Sequence, residues 1–345
     1  MADRINISGD AKILVIGHAY IGDLLLDTPA IHCLRKAFPS ARIDLLAHQR
    51  SRAVVENNPD LSNILKMEMW AQSQTWKRNL SVMREAAKRI AEEKYDLAIL
   101  FHRSEVPMIT LKMAGIPNRI GFINGSRRFL LTAGTKYNLY KHISCNMLKL
   151  LKYGLGIKVD YSTPLQLRPD PTVVEAMEAR LNKIAPNGIF VGVNPNSNGL
   201  LKNWPEENFA FTADGLAELG YIPILIGGPN EKMITEKVRK AMKSEAVDFC
   251  GSTSIAELIA LISKCKFLVT NDSGPMHIGY ALKIPTYAIF GPTDPARCGP
   301  WAIESKVFQA KIDCIKCYRK YCWHMTCMRE IRPKTVLDTI KIAQK

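Results

Sequence analysis

Short apolar runs that stop at a glycine or a polar loop recur along the chain, and most are followed by a segment with helical spacing. Lys12–Gly17 reads Lys-Ile-Leu-Val-Ile-Gly, too uniformly apolar for a half-exposed strand, and predicts a parallel strand buried on both faces. A loop over His18–Asp23 follows, then an amphipathic helix over Leu24–Ala37 with Pro29 near its start. The alternation continues with a strand over Ala41–Ala47, a helix over Arg78–Glu93 and a strand over Tyr95–Phe101. The loop His102–Glu105, a helix over Val106–Ala114 and a short strand over Arg119–Phe122 come next. Thr163–Pro171 contains three prolines and predicts a linker. Beyond it the pattern restarts, with strands at Ile189–Asn194, Pro223–Gly228, Val247–Phe249, Lys266–Thr270 and Thr286–Phe290. Helices are expected between them at Glu206–Leu219, Glu231–Met242 and Ile255–Lys264. Alternating strands and helices predict doubly wound parallel sheets. The restart predicts two Rossmann-like halves, 1–163 and 164–332, with ligand in a cleft between them at the carboxyl ends of the strands. No internal repeat or low-complexity segment interrupts the pattern.

Length and composition agree: 345 residues, 47% hydrophobic and 23% charged, suit a soluble protein of two domains. No apolar run approaches the ~18–20 residues that cross a bilayer. The opening Met-Ala-Asp-Arg-Ile-Asn lacks the apolar segment of a signal peptide, so a cytoplasmic location is expected. Charge adds a constraint. The formal net charge is +15, and residues 1–163 hold 24 Lys/Arg against 14 Asp/Glu. Such an excess favours a polyanionic partner (nucleic acid, an anionic membrane face or a phosphorylated substrate) or is simply a solvated basic surface.

The most informative stretch is Val269-Thr-Asn-Asp-Ser-Gly-Pro-Met-His277, followed by Phe290-Gly-Pro-Thr-Asp-Pro295. Asp272, Ser273 and Gly274 fall where a strand stops and a helix begins, so backbone N–H groups there can face a phosphate. His277, about one turn into the helix, reaches the same ligand or is a packed core histidine. Gly291-Pro292-Thr293 offers further donors at the end of the neighbouring strand. Asn194-Pro-Asn-Ser-Asn-Gly199 with Lys202-Asn-Trp-Pro205 is a polar loop whose lysine either neutralises a leaving diphosphate or is merely exposed. Glu231, in Gly227-Gly-Pro-Asn-Glu231, either accepts from a ribose or stands in a first helical turn favoured by the dipole. Near the N-terminus, Gly17-x4-Gly22-Asp23 is not a Walker A loop, because Asp23 and Leu24 stand where Lys and Ser/Thr would be. A carboxylate there suits a general base, or a helix N-cap for Leu24 onward. Cys314-x2-Cys317-x4-Cys322-x4-Cys327, with His324 inside, offers either a structural zinc site or a set of reduced, packed thiols. Trp70, Trp76, Lys77 and Arg78 form either an amphipathic patch for a lipid-bearing acceptor or an ordinary helix.

Taken together these motifs resemble the family 9 glycosyltransferases, the bacterial heptosyltransferases of lipopolysaccharide core synthesis. The likeness covers most of the chain in the family's order: Lys12-Ile-Leu-Val-Ile, Ile21-Gly-Asp-Leu, Thr28-Pro-Ala-Ile and Ala114-Gly-Ile-Pro-Asn-Arg-Ile-Gly-Phe122 come first. Asn194-Pro, Lys202-Asn-Trp-Pro, Gly227-Gly-Pro-Asn-Glu231, Asn271-Asp-Ser-Gly-Pro-Met-His277, Phe290-Gly-Pro-Thr293 and Cys314-x2-Cys317…Cys327-Met-x-x-Ile331 complete it. The combination Asp-Ser-Gly, His, Phe-Gly-Pro-Thr is the specific part; the loop Asn-Pro-Asn-Ser-Asn-Gly departs from the Gly/Ala- and Thr-rich residues of many members. The resemblance implies an α/β, GT-B type fold of two Rossmann-like domains, with ADP-L-glycero-D-manno-heptose in the C-terminal one. The N-terminal domain would hold a Kdo- or heptose-bearing lipid A core, and helix 333–345 would pack back on it. By that pattern Asp23 is the base, Lys202 contacts the donor phosphates and Glu231 the ribose. Asp272, Ser273, Gly274 and His277 then line the diphosphate and sugar, with Thr293 beside them. No metal is required, in keeping with a chain that has no Asp-x-Asp. Such an enzyme would work peripherally on the anionic cytoplasmic face of the inner membrane.

Two readings from other classes compete. A nucleic-acid-binding protein would use the +15 charge and the Cys cluster, but no RNP or helix-turn-helix pattern supports it, so no nucleic-acid partner is expected. The other is a transferase-like fold that binds a sugar nucleotide without transfer, against which the presence of both Asp23 and Lys202 argues.

Overall fold

The computed structural model describes residues 5–66, 76–123, 126–303 and 305–344. The chain divides into two compact units, Met1–Gln166 and Leu167–Lys345, the division falling inside the Thr163–Pro171 segment. Trp70 lies outside the described residues, as do the side chains of Trp76, Lys77 and Arg78. Among the described residues no helix is long and apolar enough to cross a membrane.

In the first unit β1 (Lys12–Ile16), α1 (Ile21–Ala37), β2 (Arg42–Ala47), β3 (Asn63–Lys66), α2 (Trp76–Glu92) and β4 (Leu97–Leu100) follow one another. They are succeeded by α3 (Glu105–Met113), β5 (Asn118–Phe122), β6 (Ala133–Thr135) and α4 (Ile143–Gly154). The six strands are parallel and lie in the order β3-β2-β1-β4-β5-β6. β1 is central, with Ile13 opposite Ile43 on one side and Leu97 on the other. Ile13, Leu14, Val15 and Ile16 expose no area, which is why this strand reads as an unbroken apolar run.

Helix α1 begins at Ile21 with Tyr20 as its N-cap, so Asp23 is not the cap expected from the sequence but a first-turn acid. The positive end of the helix dipole favours a carboxylate there. Pro29 sits inside α1 and has no N–H to give to the carbonyl of Leu25. The Thr28 hydroxyl donates to that carbonyl instead, at 2.6 Å, so the helix passes the proline with its buried acceptor satisfied.

The second unit runs α5 (Pro171–Ile184), β7 (Phe190–Asn194), α6 (Glu206–Ala217), β8 (Ile222–Leu225), α7 (Lys232–Ala241), β9 (Val247–Asp248) and α8 (Ile255–Ser263). It continues with β10 (Leu268–Asn271), α9 (Gly274–Ala281), β11 (Thr286–Phe290), α10 (Pro295–Cys298), β12 (Lys306–Gln309), α11 (Thr326–Arg329) and α12 (Pro333–Ala343). Its sheet is also six-stranded and parallel, in the order β12-β11-β10-β7-β8-β9. Counted from the first strand of each unit, both sheets are ordered 3-2-1-4-5-6, the Rossmann order. The class is therefore α/β with two Rossmann-like units, as expected.

Helix α12 lies on α6 of its own unit, where Val336, Leu337 and Ile340 join the core around Trp204 and Phe209. Gly215 makes this approach possible, since a Cβ there would meet the Leu337 side chain at 2.3 Å. Burying three aliphatic side chains of this kind contributes about 1.5–3 kcal/mol each, enough to fix the helix to this unit.

Candidate active site

In a sheet of order 3-2-1-4-5-6, the loops after the first and fourth strands diverge and leave a crevice at the carboxyl edge. Each unit carries such a point: between β1 and β4 in the first, and between β7 and β10 in the second.

In the second unit this point holds most of the residues singled out by the sequence. β10 ends at Asn271, Asp272 is 5% exposed, Ser273 is the N-cap of α9 in an extended conformation, and Gly274 opens the helix. The first-turn N–H groups of α9 have no partners within the helix and carry its positive dipole end, the ordinary arrangement for holding an anion. Lys202 arrives on the loop after β7 through a turn at Gly199, whose φ of 137° lies where a side chain would be strained. Its Nζ donates to the Asp272 carbonyl at 2.8 Å and to the carboxylate at 3.1 Å. Thr293, after β11, donates from Oγ1 to the same carboxylate at 2.8 Å. Lys202, Asp272 and Thr293, far apart in sequence, thus meet at one spot. His277 is buried on α9, its ring edge-on to Tyr280 at 6.1 Å.

Asparagine amides tie these strand ends together. Asn194 Nδ2 donates to Ser273 Oγ at 2.7 Å and to Thr270 Oγ1 at 2.9 Å, fixing the end of β7 to that of β10. Asn271 donates to the Pro195 carbonyl at 2.7 Å and accepts from the Trp204 N–H at 3.1 Å. Asn196 bonds the Ile226 carbonyl and Thr235 Oγ1. The sequence marked this loop as polar but not these amides as its fasteners. Glu231 stands after β8, where its carboxylate accepts from the Gly228 N–H at 2.6 Å. That is the capping geometry of a first-turn acid.

The switch point of the first unit is filled differently. Asp23 is in the first turn of α1, and Asp27 lies one turn further along the same face. Asp27 is fully buried and accepts from both the backbone N–H (3.0 Å) and ring Nδ1 (2.9 Å) of His18, the second residue after β1. His102, from the loop after β4, meets the His18 ring edge-on at 6.0 Å. Burial works against a charge on His18, yet the carboxylates of Asp27 and, beyond it, Asp23 outweigh burial and the opposing Arg103, and raise its pKa above the usual 6.5. Burial, with His18 nearby, pushes His102 the other way, down to about 3. The sequence reading named Asp23 alone; the four-residue spacing of Asp23 and Asp27 was the signal for a shared helix face.

The cysteine cluster does not meet its metal expectation. Cys314, Cys317, Cys322 and Cys327 line one small cavity with His324, and all nine cysteines of the chain are free thiols. Among the described residues no group of three or more His, Cys, Asp or Glu side chains is placed to hold a metal ion. Cys322 Sγ accepts from the Met325 N–H, and His324 Nδ1 is engaged by Thr326. Burial, reinforced by the neighbouring thiols, pushes the Cys327 thiol up. Cys314 and Cys317 are exposed, and Cys322 and Cys327 partly buried.

Comparison with known proteins supplies the family. The family model for glycosyltransferase family 9 (heptosyltransferase) matches residues 83–327. The chain belongs to that family. It is accordingly a glycosyltransferase. It is 26% identical over 342 residues to lipooligosaccharide heptosyltransferase 2 of Campylobacter jejuni, covering 96% of this chain and 98% of that protein. It is 27% identical to lipopolysaccharide heptosyltransferase 2 of Escherichia coli K12 over 312 residues, covering 86% of this chain and 88% of that protein. In fold it is similar to a family 9 glycosyltransferase from Veillonella parvula, with a TM-score of 0.87 over 99% of this chain and 98% of that one, at 23% identity.

Proposed function

We propose that this glycosyltransferase moves a heptose from ADP-L-glycero-D-manno-heptose to the Kdo- or heptose-bearing inner core of lipid A, inverting the anomeric centre. The observation that carries the reading is the meeting of Lys202, Asp272 and Thr293 beside the start of α9, at the switch point of the second sheet. The relatives named as heptosyltransferases of lipopolysaccharide and lipooligosaccharide support the sugar and the acceptor class.

In this mechanism the donor diphosphate lies at the N-terminus of α9, with Ser273, Gly274 and Thr293 as its donors. Lys202 exchanges Asp272 for phosphate oxygens, a charge-assisted contact that strengthens as ADP leaves with its full negative charge. His277 lines the same end of the helix, and Glu231, released from Gly228, accepts from the ribose. Asp23 takes the acceptor hydroxyl proton as its oxygen bonds the anomeric carbon. The helix N-terminus and Lys202 supply the stabilisation that a divalent ion provides elsewhere, so no cofactor is required. The basic first half suits a phosphorylated glycolipid, and with it a peripheral station on the anionic cytoplasmic face of the inner membrane.

The test is transfer in vitro, with ADP-heptose, a Kdo-lipid A acceptor and EDTA, read by mass spectrometry of the glycolipid. Addition of one heptose is expected. Addition of sugar from a UDP donor instead, or a requirement for added metal, refutes the assignment.

A further inference from the structure

The buried acid–histidine pair at the switch point of the first unit has no part in the mechanism above. Asp27 directs its carboxylate at one residue, taking the backbone N–H and the ring Nδ1–H of His18. A buried carboxylate so placed fixes the imidazole tautomer and stabilises its cation, leaving Nε2 as the working nitrogen. The ring is not sealed in: the His18 side chain is 21% exposed while that of Asp27 is wholly buried. Asp23 lies one turn before Asp27, and its charge is felt at the His18 ring. From the loop after β4, His102 faces the same ring, and the charge of Arg103, whose guanidinium lies over Tyr137, opposes the ring's protonation.

We propose that His18 is the second proton-transfer group of the sugar transfer, with Asp27 as its positioning residue. This rests on the reading of Asp23 as the base. In the transfer step the acceptor oxygen bonds the anomeric carbon and its proton passes to Asp23. The bond from that carbon to the diphosphate breaks, its electron pair leaving with ADP. Asp23 is then a neutral acid and must lose its proton before another acceptor can react. Neutral His18 takes that proton at Nε2, directly or through one water. The imidazolium, flanked by Asp27 and the regenerated Asp23 carboxylate, then gives the proton to solvent at its exposed edge. Neighbouring carboxylates that raise the ring's proton affinity suit a group that takes up a proton in every cycle. His102 cannot substitute, because its environment keeps it neutral down to about pH 3.

The decisive variant is His18→Asn, which keeps an N–H where Nδ1 stood, facing Asp27, and removes Nε2. Its kcat is expected to fall by about tenfold or more, with both KM values unchanged. The part of the acid limb of the pH–rate profile that follows loss of neutral His18 should be absent. Asp27→Asn should move that limb to lower pH. Histidine-selective NMR titration of the protein without substrates adds a readout independent of turnover: the His18 midpoint should fall in Asp23→Asn. Wild-type kcat and pH profile in His18→Asn overturn the proposal, and so does a His18 midpoint that Asp23→Asn leaves in place. Undiminished transfer by Asp23→Asn would instead overturn the assignment of the base itself, a distinct result.

Discussion

The two units share a strand order but fill the same position in it with opposite chemistry. Between the first and fourth strands of the first sheet stand His18, His102, Asp23 and Asp27, side chains that gain and lose protons. Between the equivalent strands of the second stand Asn194, Ser273 and Thr270, which do not titrate, and a lysine already neutralised by Asp272. The first edge can move protons; the second presents a fixed set of donors beside a helix dipole. The proposed mechanism assigns the nucleophile to the first edge and the leaving group to the second, the two demands of glycosyl transfer.

The strongest way to break this division is Asp23→Ala. Transfer should fall by a factor on the order of a hundred to ten thousand, while calorimetry shows ADP binding unchanged. Lys202→Ala should do the reverse, weakening ADP by about tenfold to a hundredfold, the usual scale for a lost charge-assisted contact. A smaller effect is expected from Asn194→Ala, which unties β7 from β10. The loss of stability should be about 1–3 kcal/mol by urea denaturation, from the polar groups left behind.

The histidines sharpen the contrast further through pH. His102 has a depressed pKa in the folded state, so below about 6.5 the unfolded chain takes up a proton that the folded chain refuses until about 3. Stability should therefore decline as pH falls through that window, and His102→Gln should flatten the decline, measured as the urea midpoint at pH 5 against pH 7. His18 has the opposite sign: its raised folded pKa contributes stability present below about 6.5 and lost as pH rises through the folded value. The Asp23 and Lys202 predictions fail together if a single edge carries both functions.

Most of this fold was legible in the apolar runs. Thr286–Phe290 was placed as it stands, and β1, β2, β5, β7 and β10 within two residues at either end. The strands missed are those the pattern cannot mark. β3 and β12 lie at sheet edges with partly exposed faces, and β6 is the three residues Ala-Gly-Thr. The helices α4 and α5 were passed over, the second because Pro171 was read only as part of a linker. Proline there is the first residue of the helix, capped by Asp170. At the site, residues in runs of small and polar side chains were legible because a strand-to-helix turn has a local signature. Thr293, Asp272 and Lys202 were each named in this way, but their meeting depends on strand order, which no single run contains. His18 and Asp27 were missed for a similar reason: their bond closes over nine residues, and the loop between them hid a helix that starts at Ile21. The Cys cluster shows the opposite error, a spacing that suggests zinc where, among the described residues, no three side chains are placed to hold a metal ion.

The central claim is that the second edge alone binds the nucleotide diphosphate and the first alone handles the proton. Calorimetric titration of ADP into the wild type, Asp23→Ala and Lys202→Ala, with EDTA present, tests it most directly. The account predicts equal affinity in the first two and a weakened one in the third. Loss of ADP binding in Asp23→Ala, or full binding in Lys202→Ala, would contradict it.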